Sequence, residues 1–296
     1  MVSRLAFVCV LSCLAMAGCA SKPPSSLKTA KTAYVPVVER QSLVGRDQAD
    51  EPDGTPPFSS FGTAPGRPGF GSLAGRTLRV ASLSEIKLHD KEVVLTFDDG
   101  PMPGKTDRVL EILDRFGVKA TFLMVGQMAS SYPAVAARVV DHGHSIGGHT
   151  YNHANLASVG NSRALSDIAT GNAAVARATG VEVGFFRFPY LADTGTLRNA
   201  VADRGQVILD VDIDTKDYFK SSPETIAART MARVRARGKG IILMHDIHAR
   251  TAAMLPSLLS QLKAGGYKVV ALQYRRSRMP GALVSAGVDA TTTRQM

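Results

Sequence analysis

From residue 91 onward the chain alternates short runs rich in β-branched and aromatic residues with stretches of helical periodicity, and this alternation constrains the fold more than any other feature. The runs at 93–97, 120–125, 144–148, 185–188, 207–212, 240–245 and 268–272 read as strands; 106–116, 132–142 and 163–179 read as helices between the earlier ones. Strands joined by helices lie parallel, because the crossover returns the chain to the same end of the sheet. The spacing predicts one α/β domain over 86–276, built on a parallel sheet or barrel. In (β/α) barrels the C-terminal strand ends carry the site, since loops there vary without disturbing the packed strands.

Five segments fall at those ends. They are Thr96-Phe97-Asp98-Asp99-Gly100, His149-Thr150-Tyr151-Asn152-His153, Arg187-Phe188-Pro189-Tyr190, Asp214-Thr215-Lys216-Asp217-Tyr218 and Leu243-Met244-His245-Asp246. Adjacent carboxylates repel unless a cation lies beside them, although Asp-Asp-Gly is also a common turn. His149 and His153, four apart, could clasp one metal ion, but Thr150 stands where a metalloprotease of the His-Glu pattern needs its glutamate. With Asp99 they make a two-histidine, one-aspartate set with open positions, the arrangement catalytic zinc requires; cobalt, nickel and manganese are alternatives. His142 and His144 are rival ligands. Gly104-Lys105-Thr106 suggests a phosphate loop, but Pro101 and Pro103 remove two of the backbone donors such a loop needs.

Taken in order, the five segments resemble the motifs of the NodB-homology polysaccharide deacetylases, the family-4 carbohydrate esterases. The resemblance implies a distorted (β/α) barrel with a single catalytic domain and one divalent metal ion. It implies Asp98 as general base and Asp99, His149 and His153 as ligands. Arg187 would orient the base, and the backbone N–H of Tyr190 would help hold the oxyanion. Asp217 would steady His245, the general acid, with Leu243 in the same motif and His248 a rival for the role. Tyr218 stands where the family usually has tryptophan, and the chain contains no tryptophan, so the substrate shelf is smaller and can hydrogen-bond. The implied reaction removes N-acetyl groups from N-acetylglucosamine polymers of the peptidoglycan or chitin type. An O-acetyl esterase acting on xylan or another envelope or biofilm glycan, or a glycan-binding pseudoenzyme, would share much of the pattern.

The N-terminus carries an address. Arg4 precedes an apolar run at 5–17, shorter than the roughly 20 residues of a membrane span, as in the core of a signal peptide. Met16-Ala17-Gly18-Cys19 resembles the lipobox of bacterial lipoproteins, with Met16 where leucine is more usual, which makes 1–19 a signal segment and Cys19 the lipidation site. An exported chain, lipid-anchored in the bacterial envelope on the periplasmic side or at the outer membrane, is expected. The remaining cysteines, Cys9 and Cys13, lie in the same segment, which excludes disulfides, thiolate metal sites and a cysteine nucleophile in the domain. Residues 20–85 are rich in Pro, Gly, Ser and Thr and read as a disordered tether, and 277–296 as a flexible tail.

The formal charge of +10 concentrates partly at Arg229, Arg233 and Arg237, which share a helix face open to solvent or to an anionic polymer. No nucleic-acid motif accompanies it. The partners expected are an acetylated polysaccharide and, through the anchor, a membrane, with the chain acting as a monomer.

Overall fold

The structure, a computed structural model, describes residues 72–276. The expected signal segment with Cys19, most of the tether and the tail from 277 lie outside the described residues. In chain order the elements are β1 (Ala74–Val80), β2 (Glu92–Asp98), α1 (Lys105–Arg115), β3 (Thr121–Met124), α2 (Gly126–Ser131), α3 (Pro133–Asp141), β4 (Ser145–Gly148) and α4 (Asn161–Thr179). They continue with β5 (Phe185–Phe186), α5 (Gly195–Ala202), β6 (Val207–Ile208), β7 (Ile213–Asp214), α6 (Pro223–Arg237), β8 (Gly240–His245), α7 (Ala249–Ala264) and β9 (Lys268–Tyr274). No helix among the described residues is long and apolar enough to cross a membrane.

Every strand pair is parallel. The wall runs β6-β5-β4-β3-β2-β8-β7, and β9 joins the N-terminal end of β2, with β1 on its outer side. No ladder joins β6 to β7 among the described residues, so the barrel is nearly closed. Period-two alternation sorts the side chains of its walls. On β2 and β8, Val93, Leu95, Phe97, Ile242 and Met244 face outward into a large cluster with α1, α6 and α7, while Val94 and Ile241 join Leu123, Phe185 and Val270 in the interior. Local signals fix the helix starts: Ser222 accepts from Thr225 N with Pro223 in the first turn of α6, and the Asp107 carboxylate accepts from Gly104 N at the start of α1.

The structure departs from the sequence expectation at several elements. Residues 74–85, expected as the end of the tether, hold β1 and a short 3-10 helix at Leu83–Glu85. β1 is an edge strand with one buried residue, Val80, so its sequence lacks the apolar alternation by which half-buried strands announce themselves. Of the strand expected at 207–212 only β6 forms; an unpaired stretch follows at the open side of the barrel, and a separate short strand, β7, begins just beyond it at Ile213. β5 stops at Phe186 because the following chain turns toward the site, reaching left-handed backbone at Tyr190 and Leu191. His144, expected within a strand, lies one residue before β4.

α2 crosses α4 on paired glycines: a Cβ on Gly126 would come 2.7 Å from Gly171 Cα. A Cβ on Gly171 would in turn come 2.4 Å from the carbonyl carbon of Thr150, in the loop that carries both histidines. Gly171→Ala is expected to destabilise the fold by about 1–3 kcal/mol, the usual cost of overpacking, seen as a lowered denaturant midpoint with an unchanged slope. An unaltered midpoint would show that this crossing has slack.

Candidate active site

The inward-facing sequence of β2 runs Val94, Thr96, Asp98, and that of β8 runs Ile241, Leu243, His245. The register sets Thr96 opposite Leu243 and Asp98 opposite His245. The interior is therefore apolar below and ionisable at the C-terminal mouth. Beyond Asp98 the chain leaves the strand through a left-handed residue, Asp99 (φ 78°).

Asp98 is 2% exposed and meets Arg187, itself 1% exposed. Nη1 of Arg187 donates to Asp98 Oδ1 at 2.7 Å and to Thr96 Oγ1 at 2.8 Å, and Nε donates to the Leu209 carbonyl at 3.0 Å. The guanidinium thus reaches from the end of β5 to the chain between β6 and β7 and back across the interior to β2. An ion pair this deep is expensive to break from one side, on the order of 3–5 kcal/mol.

His149 follows β4 directly. Its Nδ1–H donates to the Arg187 carbonyl at 2.8 Å, which leaves Nε2 bare toward Asp99 Oδ1 (3.5 Å) and Asp98 Oδ2 (3.7 Å). His153 places Nε2 3.1 Å from the same Asp99 oxygen. The loop carrying both histidines is not helical. Thr150 (φ 65°) and His153 (φ 55°) are left-handed, and the carbonyls of Thr150 and Tyr151 accept from the first two N–H groups of α2, Gly126 (2.8 Å) and Gln127 (3.1 Å).

One donor atom from each of Asp99, His149 and His153 lies within 4.8 Å of the others. Asp99 Oδ1 is buried and makes no hydrogen bond, an omission that folded proteins rarely tolerate in a carboxylate. Burial by itself would raise the pKa of Asp99, but His153, His149 and His245 outweigh it and hold it down at about 2. Burial lowers the pKa of His149. An anionic oxygen and an imidazole nitrogen disposed to be neutral, aimed at one point, are what a divalent cation needs. The donor set fits such an ion.

Across the cavity, Asp217 is fully buried. Its Oδ1 accepts from His245 Nδ1 at 2.7 Å, and its Oδ2 accepts from His245 N (2.8 Å) and Thr251 Oγ1 (2.6 Å). Burial would raise the Asp217 pKa, but the bonds from His245 and Thr251 hold it low. For His245 burial works downward, and Asp217 with the nearby Asp98 and Asp99 overcomes it, lifting the imidazole to about 9. His248 lies with its ring 6.0 Å from that of His245, and burial lowers its pKa.

The loop from Asp214 to Tyr218 shapes the rim. The Tyr218 hydroxyl donates to Asp214 Oδ2 at 2.8 Å, and Tyr190 sets its ring edge-on to His153 at 4.8 Å. These residues, with Leu243 beneath, enclose a cavity of about 460 Å³ around Asp98, Asp99 and His245. A larger cleft of about 960 Å³ between the 151–154 loop and the start of α4 gathers no such set of acids and bases. The arginine face of α6, expected to be open, is partly engaged: Arg229 and Arg233 are half-buried and Arg237 stays exposed. Arg229 donates to the carbonyls of Thr215 (2.7 Å) and Lys216 (3.1 Å), Arg233 to that of Asp214 (2.5 Å), and Arg237 to the Asp212 carboxylate. The charges of Arg229 and Arg233 brace the loop that presents Asp217.

The rival histidines sit at the opposite ends of the strands. His144 Nδ1 accepts from Ala120 N, and burial drives its pKa to about 3; His142 pairs with Asp114. Three supporting residues escaped the sequence analysis. Thr96 and Asp246 lie inside two of the five segments; the register turns Thr96 inward opposite Leu243, while Asp246, just past the end of β8, is buried against Gly100 and Thr106. Thr251 carried no local signal. Asp246 is fully buried, accepts from Gly100 N at 3.1 Å and Thr106 Oγ1 at 2.5 Å, and is raised to about 7, chiefly by burial. A Cβ on Gly100 would lie 2.1 Å from its oxygen, so only glycine fits there.

Comparison with known proteins bears on the same residues. A family model for polysaccharide deacetylase matches residues 85–208, which contain the first three of the five segments. A peptidoglycan-N-acetylglucosamine deacetylase of Listeria monocytogenes is 34% identical over 184 residues, 62% of this chain and 38% of its own length, so the chain spans well under half of that relative. A chitin deacetylase of Colletotrichum lindemuthianum is 33% identical over 190 residues, covering 60% of this chain and 76% of its own. Among solved structures, a family 4 carbohydrate esterase from Streptomyces lividans in complex with acetate superposes with a TM-score of 0.56 at 33% identity, over 60% of this chain and 91% of that one. With a nearly closed parallel barrel and acids, histidines and arginine gathered at its C-terminal mouth, the chain belongs to the polysaccharide deacetylase family.

Proposed function

We propose that this protein hydrolyses N-acetyl groups on N-acetylglucosamine polymers of the peptidoglycan or chitin type, from a lipid anchor at Cys19 in the bacterial envelope. The observation that carries the reaction is the meeting, at one cavity, of the Asp98–Arg187 pair, the Asp99–His149–His153 cluster and the His245–Asp217 pair. The polymer class is supported by the similarity to peptidoglycan and chitin deacetylases, and the anchor by the residues before Cys19.

Asp99, His149 and His153 would hold one divalent ion, zinc first among the candidates for a mixed nitrogen and oxygen set. When bound, such an ion supplies positive charge that acidifies water and polarises the acetyl carbonyl. Asp98 takes the proton from the attacking water, its carboxylate held in place by Arg187. The backbone N–H of Tyr190, on its left-handed turn, serves the developing oxyanion. His245 gives its proton to the leaving nitrogen as the carbon–nitrogen bond breaks, and acetate and a free amine result. Leu243 and Tyr218 close around the acetyl group. Asp217 fixes the ring of His245 and keeps it charged.

Purified protein is expected to release acetate from N-acetylglucosamine oligomers, to lose that activity to a chelator, and to regain it with zinc. Release only from O-acetylated xylan would move the assignment to an esterase, and binding without release to a glycan-binding protein. Asp98→Asn should lower kcat by a factor on the order of 10² to 10⁴ while zinc content by elemental analysis stays at the wild-type level. Near-normal turnover would place the base elsewhere.

The acid sets the alkaline limb of the pH profile. Because the folded pKa of His245 is raised to about 9, the protonated form persists through neutrality and is lost as pH rises through that value. The same pair stabilises the fold fully below the unfolded histidine value of about 6.5, and this contribution disappears as pH climbs toward 9. Asp217→Asn removes the strongest raising partner, so the alkaline limb should move downward toward the ordinary histidine range. A profile that does not move would take Asp217 out of the mechanism.

A further inference from the structure

We propose that Phe219 forms a second sugar subsite outside the cavity, a flat apolar face on which the pyranose ring next to the acetylated unit rests. This inference rests on the deacetylase reading and extends it from an acetylated sugar to a polymer of at least two units.

Six large hydrophobic side chains are exposed among the described residues; three of them, Tyr190 (67%), Leu191 (49%) and Tyr218 (41%), ring the mouth of this one cavity, and a fourth, Phe219 (55%), stands against Tyr218. Single exposed apolar residues are ordinary, but a cluster rimmed by polar groups marks a binding surface. Tyr190, Leu191 and Tyr218 line the cavity itself, whereas Phe219 lies beyond its edge. The Phe219 ring sits 4.7 Å from that of Tyr218, which stands edge-on to His245 at 5.4 Å. The apolar surface therefore continues without a break from the general acid outward.

The platform is ordered before anything binds. Arg250 Nη1 donates to the carbonyls of Phe219 (2.8 Å) and Tyr218 (3.3 Å), Phe219 N donates to the Lys216 carbonyl (3.2 Å), and Arg229 and Arg233 brace the preceding loop. Yet the ring itself stays open to solvent. An immobilised backbone offering an exposed ring lowers the ordering cost of binding, which is how rigid aromatic contacts give affinity. The occupant follows from continuity with the cavity. A pyranose presents C–H faces between polar edges, and a polymer with one acetylated unit held over His245 must carry its neighbouring ring across the rim.

The absence of tryptophan from the chain permits a direct test. In the full chain with Asp98→Asn to stop turnover, Phe219→Trp places a single indole on the platform. Its emission should change with N-acetylglucosamine tetramer and stay unchanged with the monosaccharide at equal concentration. In the otherwise unmodified enzyme, Phe219→Ala should raise KM for the tetramer by roughly tenfold with kcat held, and Phe219→Tyr should restore KM where Phe219→Leu does not. An unaltered KM in Phe219→Ala, or an emission response identical for monosaccharide and tetramer, overturns the subsite. If the wild-type protein releases no acetate from any glycan while the indole still reports the tetramer, the subsite stands and the hydrolase assignment falls.

Discussion

The buried pair between Arg187 and Asp98 is the constraint to which the rest of the site is fitted. A barrel whose wall lacks a ladder between β6 and β7 has backbone carbonyls at its open side and the strand that carries Asp98 on the far wall. One guanidinium spans the two, taking the Leu209 carbonyl with Nε and the Asp98 carboxylate with Nη1. Its planar fork suits this task in a way that the single ammonium of lysine does not. The backbone carbonyl of the same residue accepts from His149 and thereby selects the tautomer that turns Nε2 toward Asp99. The orientation of the Asp98 carboxylate and of the candidate ligand His149 thus depends on a single position. For stability alone a hydrophobic pair could fill that space as well; what it could not supply is a carboxylate held at a fixed angle.

Backbone strain is concentrated around this pair. Of the seven non-glycine residues with left-handed φ among the described residues, six belong to loops at the mouth: Asp99, Thr150, His153, Tyr190, Leu191 and Lys216. Each costs on the order of 1–3 kcal/mol and persists only where the surroundings over-determine it. The surroundings here are identifiable. The N-terminus of α2 and Gly171 of α4 hold the histidine loop, Arg229 and Arg233 hold the Asp214–Tyr218 loop, and Asp246 holds Gly100 beside Asp99. Two of these braces are charges that on sequence grounds belonged to solvent. Their bonds to loop carbonyls show how little a run of arginines reveals about its partners until the opposing surface is known.

The order of elements, their parallel sense and the position of the five segments at strand ends follow from local patterns alone, because hydrophobic period and crossover length are properties of contiguous residues. The residue types themselves state their chemistry: adjacent aspartates, paired histidines and an arginine before a proline turn were readable before any distance was known. What the sequence could not reveal has a common cause. β1 hid because an edge strand buries almost nothing, and the break between β6 and β7 hid because nothing local distinguishes an unpaired stretch from a paired one. Thr96, Asp246 and Thr251 acquire roles only through register and burial, which long-range packing decides. The same packing tells His149 from His144, five residues apart and at opposite ends of one strand: one becomes a candidate ligand and the other a core residue because parallel strands have two chemically different ends. Hydrophobic period determined a parallel α/β domain and the kinds of groups at its strand ends, while the closing of the wall into a barrel and the distances that gather those groups around one cavity exist only once strands far apart in the chain are laid in register.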